Sequence, residues 1–405
     1  MRVLFVAAPG VGHLLPAVPT AWAAQSAGHE VRVAATGPSL DMATRLGLAA
    51  VEVSDGTAAH AYRRLAERGM AARPEAHDLS TAWQRFTRPP EPDGGQDGDG
   101  SDKAGVDGDG GGADRDGGGN GKDGVVSEML DVGRRMTDGI LRAIRDWAPD
   151  LLVFTSFIGG GQSAADQAGV PAVHIGIGMP YPDLSALLPD PPAPPVLTAD
   201  VCPPSLRPPG AEPGAPLRFV PCNGGGVVPD RLLARPRRPR ICVTWGSVLP
   251  ELGMDETLAT TLAALAGFDA EVVLATGSSA ASTGRPLPHG VRQVGWVPLT
   301  AVLPDCAAVV HHGGSGSTFT ALALGIPQVV LPQAADQPVN AQAVLRRGVG
   351  TALEKTRPGV AELRGAVERA LGDAEIRRAC AEVREEIAAM PGPDAFVRRL
   401  AAAVS

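Results

Sequence analysis

The densest group of small and reactive residues in the chain is Val309-Val310-His311-His312-Gly313-Gly314-Ser315-Gly316-Ser317-Thr318. An apolar run enters glycines and small hydroxyl residues, and these open a stretch of helical periodicity over Ser315–Leu324. Glycines let a backbone approach a ligand closely. The first N–H groups of a helix are unpaired and the dipole is positive there, so the turn suits a phosphate. Ser315, Ser317 and Thr318 supply hydroxyl donors, and His312 can add one more toward the anion. The plainer alternative is a tight turn capped by Ser315. The run is not a Walker loop, because Gly-Lys-Ser/Thr is absent, and no G-x-G-x-x-G follows the first strand. A second candidate is His13, in the context Gly12-His13-Leu14-Leu15-Pro16. With an ordinary pKa of ~6.5, an imidazole can take a proton from an acceptor near neutral pH.

Both candidates follow expected strands. Val3–Ala8 is a β-rich run, Leu14–Ser26 has helical spacing with Pro16 in its first turn, and Glu30–Ala35 and Leu48–Val53 read as strands. The alternation resumes with a helix near 127–147, a strand Leu151–Ser156, a helix Gly161–Ala168 and a strand Val170–Ile177. Prolines are dense from Pro180 to Pro239, which suits an extended connection with loops between two lobes. A second set follows: strands Arg240–Trp245, Glu271–Thr276, Val291–Val297, Ala307–His311 and Pro327–Leu331, with helices Asp255–Ala266 and Ser315–Leu324. Helical periodicity runs from about Val360 to Val404, broken at Pro391-Gly392-Pro393. The fold class is therefore α/β, with two Rossmann-like doubly wound units. Ligands of such sheets sit outside the carboxyl ends of the strands, so two edges are expected to face one central cleft.

A chain of 405 residues implies two or three domains, and 44% apolar composition makes it globular. No apolar run approaches the ~18 residues of a membrane span. Residues Met1–Gly10 read better as a buried first strand than as a secretory leader. The formal charge of −8 argues against nucleic-acid binding. Residues 91–124 hold ten acidic and three basic residues, hence −7 over 34 positions, and fourteen are glycine. That composition cannot bury enough surface to offset its ordering entropy, so a disordered surface insertion is expected. The five scattered cysteines lack C-x-x-C spacing and suit a reducing cytoplasm.

Further elements surround the glycine-rich run: Gly295-Trp296-Val297-Pro298-Leu299, Leu303-Pro304, Ala321-Leu322, Gly325-Ile326-Pro327-Gln328, Asp336-Gln337 and Asn340-Ala341. In this order the set resembles the nucleotide-sugar signature of family 1 glycosyltransferases, nearest to the bacterial branch that attaches deoxysugars to natural products. Gly12-His13 with Pro16 and Trp245-Gly246-Ser247 extend the resemblance over most of the chain. It implies the GT-B architecture. Residues 1–220 would form an acceptor lobe carrying the insertion, residues 221–380 a donor lobe, and residues 381–405 a helical tail returning to the first lobe.

The resemblance also implies roles. Ser247, His312, Gly314, Ser315, Gly316 and Ser317 would surround a diphosphate, Trp296 and the backbone of Val297 would flank a pyrimidine, and Asp336 and Gln337 would meet sugar hydroxyls. Relatives usually have threonine where Ser317 stands. His13 would be the base of an inverting, metal-independent transfer from a nucleotide-diphosphate sugar, with TDP the first choice and UDP open. No cofactor beyond that co-substrate is implied. The acceptor would be a hydrophobic secondary metabolite, such as an aromatic polyketide or macrolide in antibiotic biosynthesis. A homodimer or auxiliary protein is compatible with this reading.

Two departures stand out. Many relatives carry an aspartate where this sequence has Thr155 or Ser156, so either another acid such as Asp55 orients His13 or the acceptor is acidic. A phenol or an activated aromatic carbon would qualify. The triplets Asp97-Gly98-Asp99 and Asp107-Gly108-Asp109 have D-x-D spacing, but no apolar strand flanks them and a metal is not expected. Two other readings remain open: a non-catalytic homologue assisting a partner enzyme, and a sugar-nucleotide epimerase on the same fold.

Overall fold

The computed structural model describes residues 1–71, 75, 77–81, 84, 121–155, 157–180, 185, 188–246, 255–276 and 287–404. The Asp-Gly-Asp triplets, Ser156 and Ser247 lie outside the described residues.

The first lobe runs β1 (Arg2–Val6), α1 (Val11–Leu14), α2 (Val18–Ser26), β2 (Glu30–Ala35), α3 (Pro38–Arg45), β3 (Ala50–Glu52), α4 (Thr57–Ala71), α5 (Gly121–Trp147), β4 (Leu151–Phe154), α6 (Gly161–Ala168), β5 (Ala172–Ile175), β6 (Leu197–Asp200) and β7 (Ala215–Pro216). Its strands form one parallel sheet in the order β3-β2-β1-β4-β5-β6-β7. The second lobe runs α7 (Asp230–Leu233), β8 (Arg240–Thr244), α8 (Asp255–Leu265), β9 (Glu271–Leu274), β10 (Val291–Gln293), β11 (Ala308–His311), α9 (Ser315–Leu324), β12 (Gln328–Val330), α10 (Gln337–Arg347), β13 (Gly350–Ala352) and α11 (Val360–Gly372). Its strands are also parallel, in the order β10-β9-β8-β11-β12-β13. Helices α12 (Ala374–Ala389) and α13 (Pro393–Val404) close the described chain.

Sheets covered by helices on both faces need strands that are apolar throughout. Leu151, Leu152, Val153 and Phe154 of β4 are all fully buried, as are Ile241, Cys242 and Val243 of β8. The strand order reverses between β1 and β4 and again between β8 and β11. A crevice opens at the carboxyl ends of the strands at each reversal. His13 and Thr155 follow β1 and β4, while Gly246 and the His312–Ser315 turn follow β8 and β11.

The sequence departs from its expected elements in instructive places. The proline-rich stretch is not only a connection: it contributes β6 and β7. Pro216 fits there because β7 is the edge of the sheet, where a missing N–H costs little. The helix expected near 127 starts at Gly121, so residues 121–124 belong to α5 and not to an irregular insertion. The strand expected to reach Val297 ends at Gln293, because Gly295 adopts φ +68° and turns the chain.

The lobes are joined along one side. Phe219 packs on Phe319 with ring centroids 5.4 Å apart. Arg347 Nε donates to Ser205 Oγ at 3.1 Å, and the Ser205 N–H donates to Glu386 Oε1 at 2.8 Å. On the other side, Gln342 Nε2 reaches the Ser80 carbonyl at 2.7 Å, and the Thr356 N–H reaches that of Glu75 at 3.2 Å. The chain crosses between lobes twice, because α13 packs back on α2 with Phe396, Val397 and Leu400 buried.

Candidate functional site

The glycine-rich turn is built by its histidines in two different ways. His311, the last residue of β11, is fully buried. Its Nε2 pairs with Gln328 Oε1 at 2.9 Å, and its Nδ1 accepts the Gly313 N–H at 3.1 Å. Burial holds it down at about 4, so it is a neutral brace for the turn. Gly313 has φ +89°, and a Cβ there would lie 2.7 Å from Val330 Cγ1, so only glycine fits. His312 is the residue that lies in the crevice. A Cβ on Gly246 would come within 2.7 Å of its Cε1, and one on Gly314 within 2.4 Å of its Nε2. Burial, then the neighbouring His311, push its pKa down to about 3, and its Nδ1 has no hydrogen-bond partner.

Gly314 is the N-cap residue of α9, so Ser315, Gly316 and Ser317 form its first turn. A Cβ on Gly316 would meet nothing within 4 Å, which leaves that side of the turn open. Asp336 closes the other side. Its Oδ2 accepts the Ser315 N–H at 3.2 Å, Ser315 Oγ at 2.8 Å and Asn340 Nδ2 at 2.9 Å. Asn340 Nδ2 also reaches the Gly313 carbonyl at 2.8 Å. Asn340 is thus a site residue to which sequence reasoning assigned no role, although it lies four residues from Asp336, on the same helical face. Ala335 sits at φ +54°, an unusual conformation for a residue with a Cβ, and it directs Asp336 toward the turn. Gln337 uses its Oε1 to accept the N–H groups of Gln333 and Ala334 at 2.8 and 3.2 Å.

Trp296 follows the Gly295 turn and remains 37% exposed, unlike Val297, which is buried. A Cβ on Gly224 of the connection between lobes would lie 3.5 Å from its Nε1. Asn223 ties that connection to the second lobe, donating to Thr320 Oγ1 at 3.0 Å and accepting the Thr300 N–H at 3.3 Å. One large aromatic surface therefore stands open beside the connection between the lobes.

On the first lobe, the half-buried His13 lies in α1, directly beyond β1. Thr155 donates its hydroxyl to the main-chain carbonyl of His13 and so reaches the backbone, not the ring. Asp55 does not serve the ring either: its Oδ1 caps α4 by accepting the Thr57 N–H at 3.2 Å and Thr57 Oγ1 at 2.7 Å. The His13 Nδ1 is buried without a partner, and burial alone lowers its pKa to about 4. Its ring stands edge to face on Tyr62, with centroids 5.8 Å apart. The lobes meet here: a Cβ on Gly178 would lie 2.5 Å from Ser315 Oγ. His312, Gly314, Ser315, Gly316, Ser317 and Asp336 thus cluster on one wall, and His13 stands at the strand end of the other. Among the described residues no group of three or more His, Cys, Asp or Glu could hold a metal ion.

Known proteins share the fold of this chain. The chain matches the family described as erythromycin biosynthesis protein CIII-like over residues 183–246 for its N-terminal domain and 259–403 for its C-terminal domain. It is 34% identical to the L-demethylnoviosyl transferase of Streptomyces niveus, over 99% of this chain and 98% of that protein. The chain belongs to the erythromycin CIII-like glycosyltransferases. The glycosyltransferase SnogD from Streptomyces nogalater superposes with a TM-score of 0.73 at 31% identity, covering 100% of this chain and 99% of its own. The spinosyn rhamnosyltransferase SpnG complexed with thymidine diphosphate superposes with a TM-score of 0.74 at 28% identity, covering 99% and 100%. This glycosyltransferase has the two-lobed GT-B fold, and none of these relatives is an epimerase. Among the described residues no helix is long and apolar enough to cross a membrane.

Proposed function

We propose that the enzyme transfers a deoxysugar from a TDP-sugar to an acidic oxygen or an activated aromatic carbon of a secondary metabolite, with inversion and without a metal. The observation that carries this reading is the meeting of the two lobes at their strand ends, where the Gly178 backbone lies against Ser315 and Tyr62, which packs on His13, feels the Asp336 charge. Residues 1–220 are then the acceptor lobe and residues 221–380 the donor lobe; of the expected tail 381–405, α12 runs unbroken across residue 381, and α13 is the part that returns to the first lobe.

On the donor side, His312, Gly314, Gly316, Ser317, Ser247 and the first turn of α9 hold the diphosphate. A helix start stabilises the negative charge that grows on the departing group. Trp296 stacks on the base while the Val297 backbone meets its edge. Asp336, with Oδ1 still available, and the Gln337 amide nitrogen meet sugar hydroxyls. The Asp336 Oδ2 meanwhile keeps Ser315 in register.

The chemistry is one in-line displacement. The acceptor atom bonds to the anomeric carbon as the bond to the diphosphate oxygen breaks, and the diphosphate leaves with the electron pair. His13 takes the acceptor proton at Nε2, because Nδ1 is buried. A base held at about 4, with no acceptor for its second N–H, gains little by becoming charged. It matches a phenol, which ionises near ~10, far better than an alcohol that resembles water at ~15.7. That match favours acidic groups on an aromatic polyketide or macrolide acceptor. The free thiols of all five cysteines support a reducing cytoplasmic setting.

Thermal unfolding with TDP, UDP and GDP tests the donor assignment. A ligand present at about ten times its Kd adds about 1.4 kcal/mol, raising the midpoint of a chain of this size by roughly 1–2 °C. TDP should give the largest rise. No rise with any of the three at millimolar levels would remove the nucleotide-sugar assignment.

A further inference from the structure

His13 lacks the carboxylate that would commonly orient such a base, yet one side chain stands against it. Tyr62, on α4, meets the imidazole edge to face at 5.8 Å with an interplanar angle of 83°. Its phenol lies over Gly10, where a Cβ would sit 2.4 Å from the hydroxyl oxygen and 2.7 Å from the carbon that bears it. Gly10 accepts the His13 N–H at 2.9 Å, so the phenol, the turn and the imidazole form one packed unit. Helix α4 is itself held in place. Ser54 and Asp55 cap its start, its body packs on α5, and Glu75 beyond its end is bonded by Thr356 of the second lobe.

We propose that Tyr62 is the positioning residue of the base: its ring fixes the plane of the His13 imidazole and shields Nδ1, doing by packing what a carboxylate does by charge. The glycine at position 10 is then the space that this ring requires. The phenol itself stays protonated, since burial, then the Asp336 charge across the gap, push it up to about 12. Among the described residues Tyr62 stands beside the His13 ring and Thr155 bonds its carbonyl, and burial is the cause that lowers its pKa. Loss of the ring therefore opens the imidazole to water and frees its rotation.

The inference rests on His13 being the base, but its test needs no turnover. Histidine-labelled protein is titrated by NMR, with the His13 ring signal identified by its absence in His13→Gln. In the wild-type protein and in Tyr62→Phe, the ring should stay neutral down to below pH 5. In Tyr62→Ala its midpoint should rise by about one pH unit or more, toward the ordinary ~6.5. Gly10 has φ −80° and ψ 133°, which alanine adopts freely, so Gly10→Ala should act by displacing the phenol, which supplies the three atoms nearest the new Cβ. It should reproduce the shift, and adding it to Tyr62→Ala should change nothing more. Tyr62→Phe moving the signal as far as Tyr62→Ala, or Gly10→Ala leaving it in place, would overturn the proposal. Should Tyr62→Ala fail to fold, Gly10→Ala carries the test. Turnover of His13→Ala judges the base assignment separately.

Discussion

His13, His311 and His312 are held uncharged by burial, at about 4, about 4 and about 3; neutrality suits His13 to its proposed role as base, while for His311 and His312 it costs stability in acid. A base with a low pKa is ready throughout the neutral range, so the acid limb of kcat/KM should fall near pH 4 and not near 6.5. His13→Ala should lower kcat by about 10²–10⁴-fold while leaving the donor KM within about threefold. Steady-state kinetics over pH and over a series of phenols checks both statements. Stability runs the other way. The folded pKa values of His311 and His312 lie below the unfolded value of ~6.5, so the unfolded chain binds protons that the folded one refuses. Their contribution is complete above pH ~6.5 and is lost as pH falls, by about 2 kcal/mol for each residue at pH 5. Melting curves between pH 7 and 5 measure this loss. Trp296→Ala should weaken TDP binding by roughly 10–100-fold if the open indole stacks on the base. At this scale the sequence makes the glycine-rich turn and Trp296 plain. It also picks His312 from the histidine pair, but the bracing role of His311 is not legible, because only the register of β11 against β12 sets His311 beside Gln328.

At the scale of elements, the turn from β11 into α9 depends on a positive φ and on a wall. Gly313→Ala would bring a Cβ against both Val330 and the Gln337 carbonyl, and its φ of +89° disfavours any side chain. That substitution should cost at least about 1–3 kcal/mol and abolish the thermal response to TDP. Ala335→Gly acts in the opposite sense. Relief of a left-handed alanine should stabilise the fold by up to about 1 kcal/mol, and TDP binding should persist. Periodicity alone located α6 and α9 to the residue, because each is an apolar face ended by a glycine. It missed α4, the helix that carries Tyr62, although Ser54-Asp55-Gly56-Thr57 is a capping signal and both side chains act as caps. The strands in the proline-rich stretch were hidden for a different reason. An edge position in a sheet is a tertiary property, and proline density reads locally as loop.

Across the whole molecule, one continuous apolar core runs between the lobes through Phe219 and Phe319 and extends to α13. Phe396→Ala should cost about 3–5 kcal/mol, because it empties a site that is 2% exposed between α13 and the first lobe. Differential scanning calorimetry would show whether both lobes respond to it, as a shared core requires. The two crossings also have a consequence for inheritance and engineering. Under the proposed division, the half that holds the nucleotide is, in chain order, a single block spliced into the half that takes the acceptor. Two cuts, one in the connection around Asn223 and one at Pro391-Gly392, would excise it whole. Sugar preference could therefore be exchanged among kin as one cassette, provided that Ser205, Glu386 and Arg347 stay compatible at the seam.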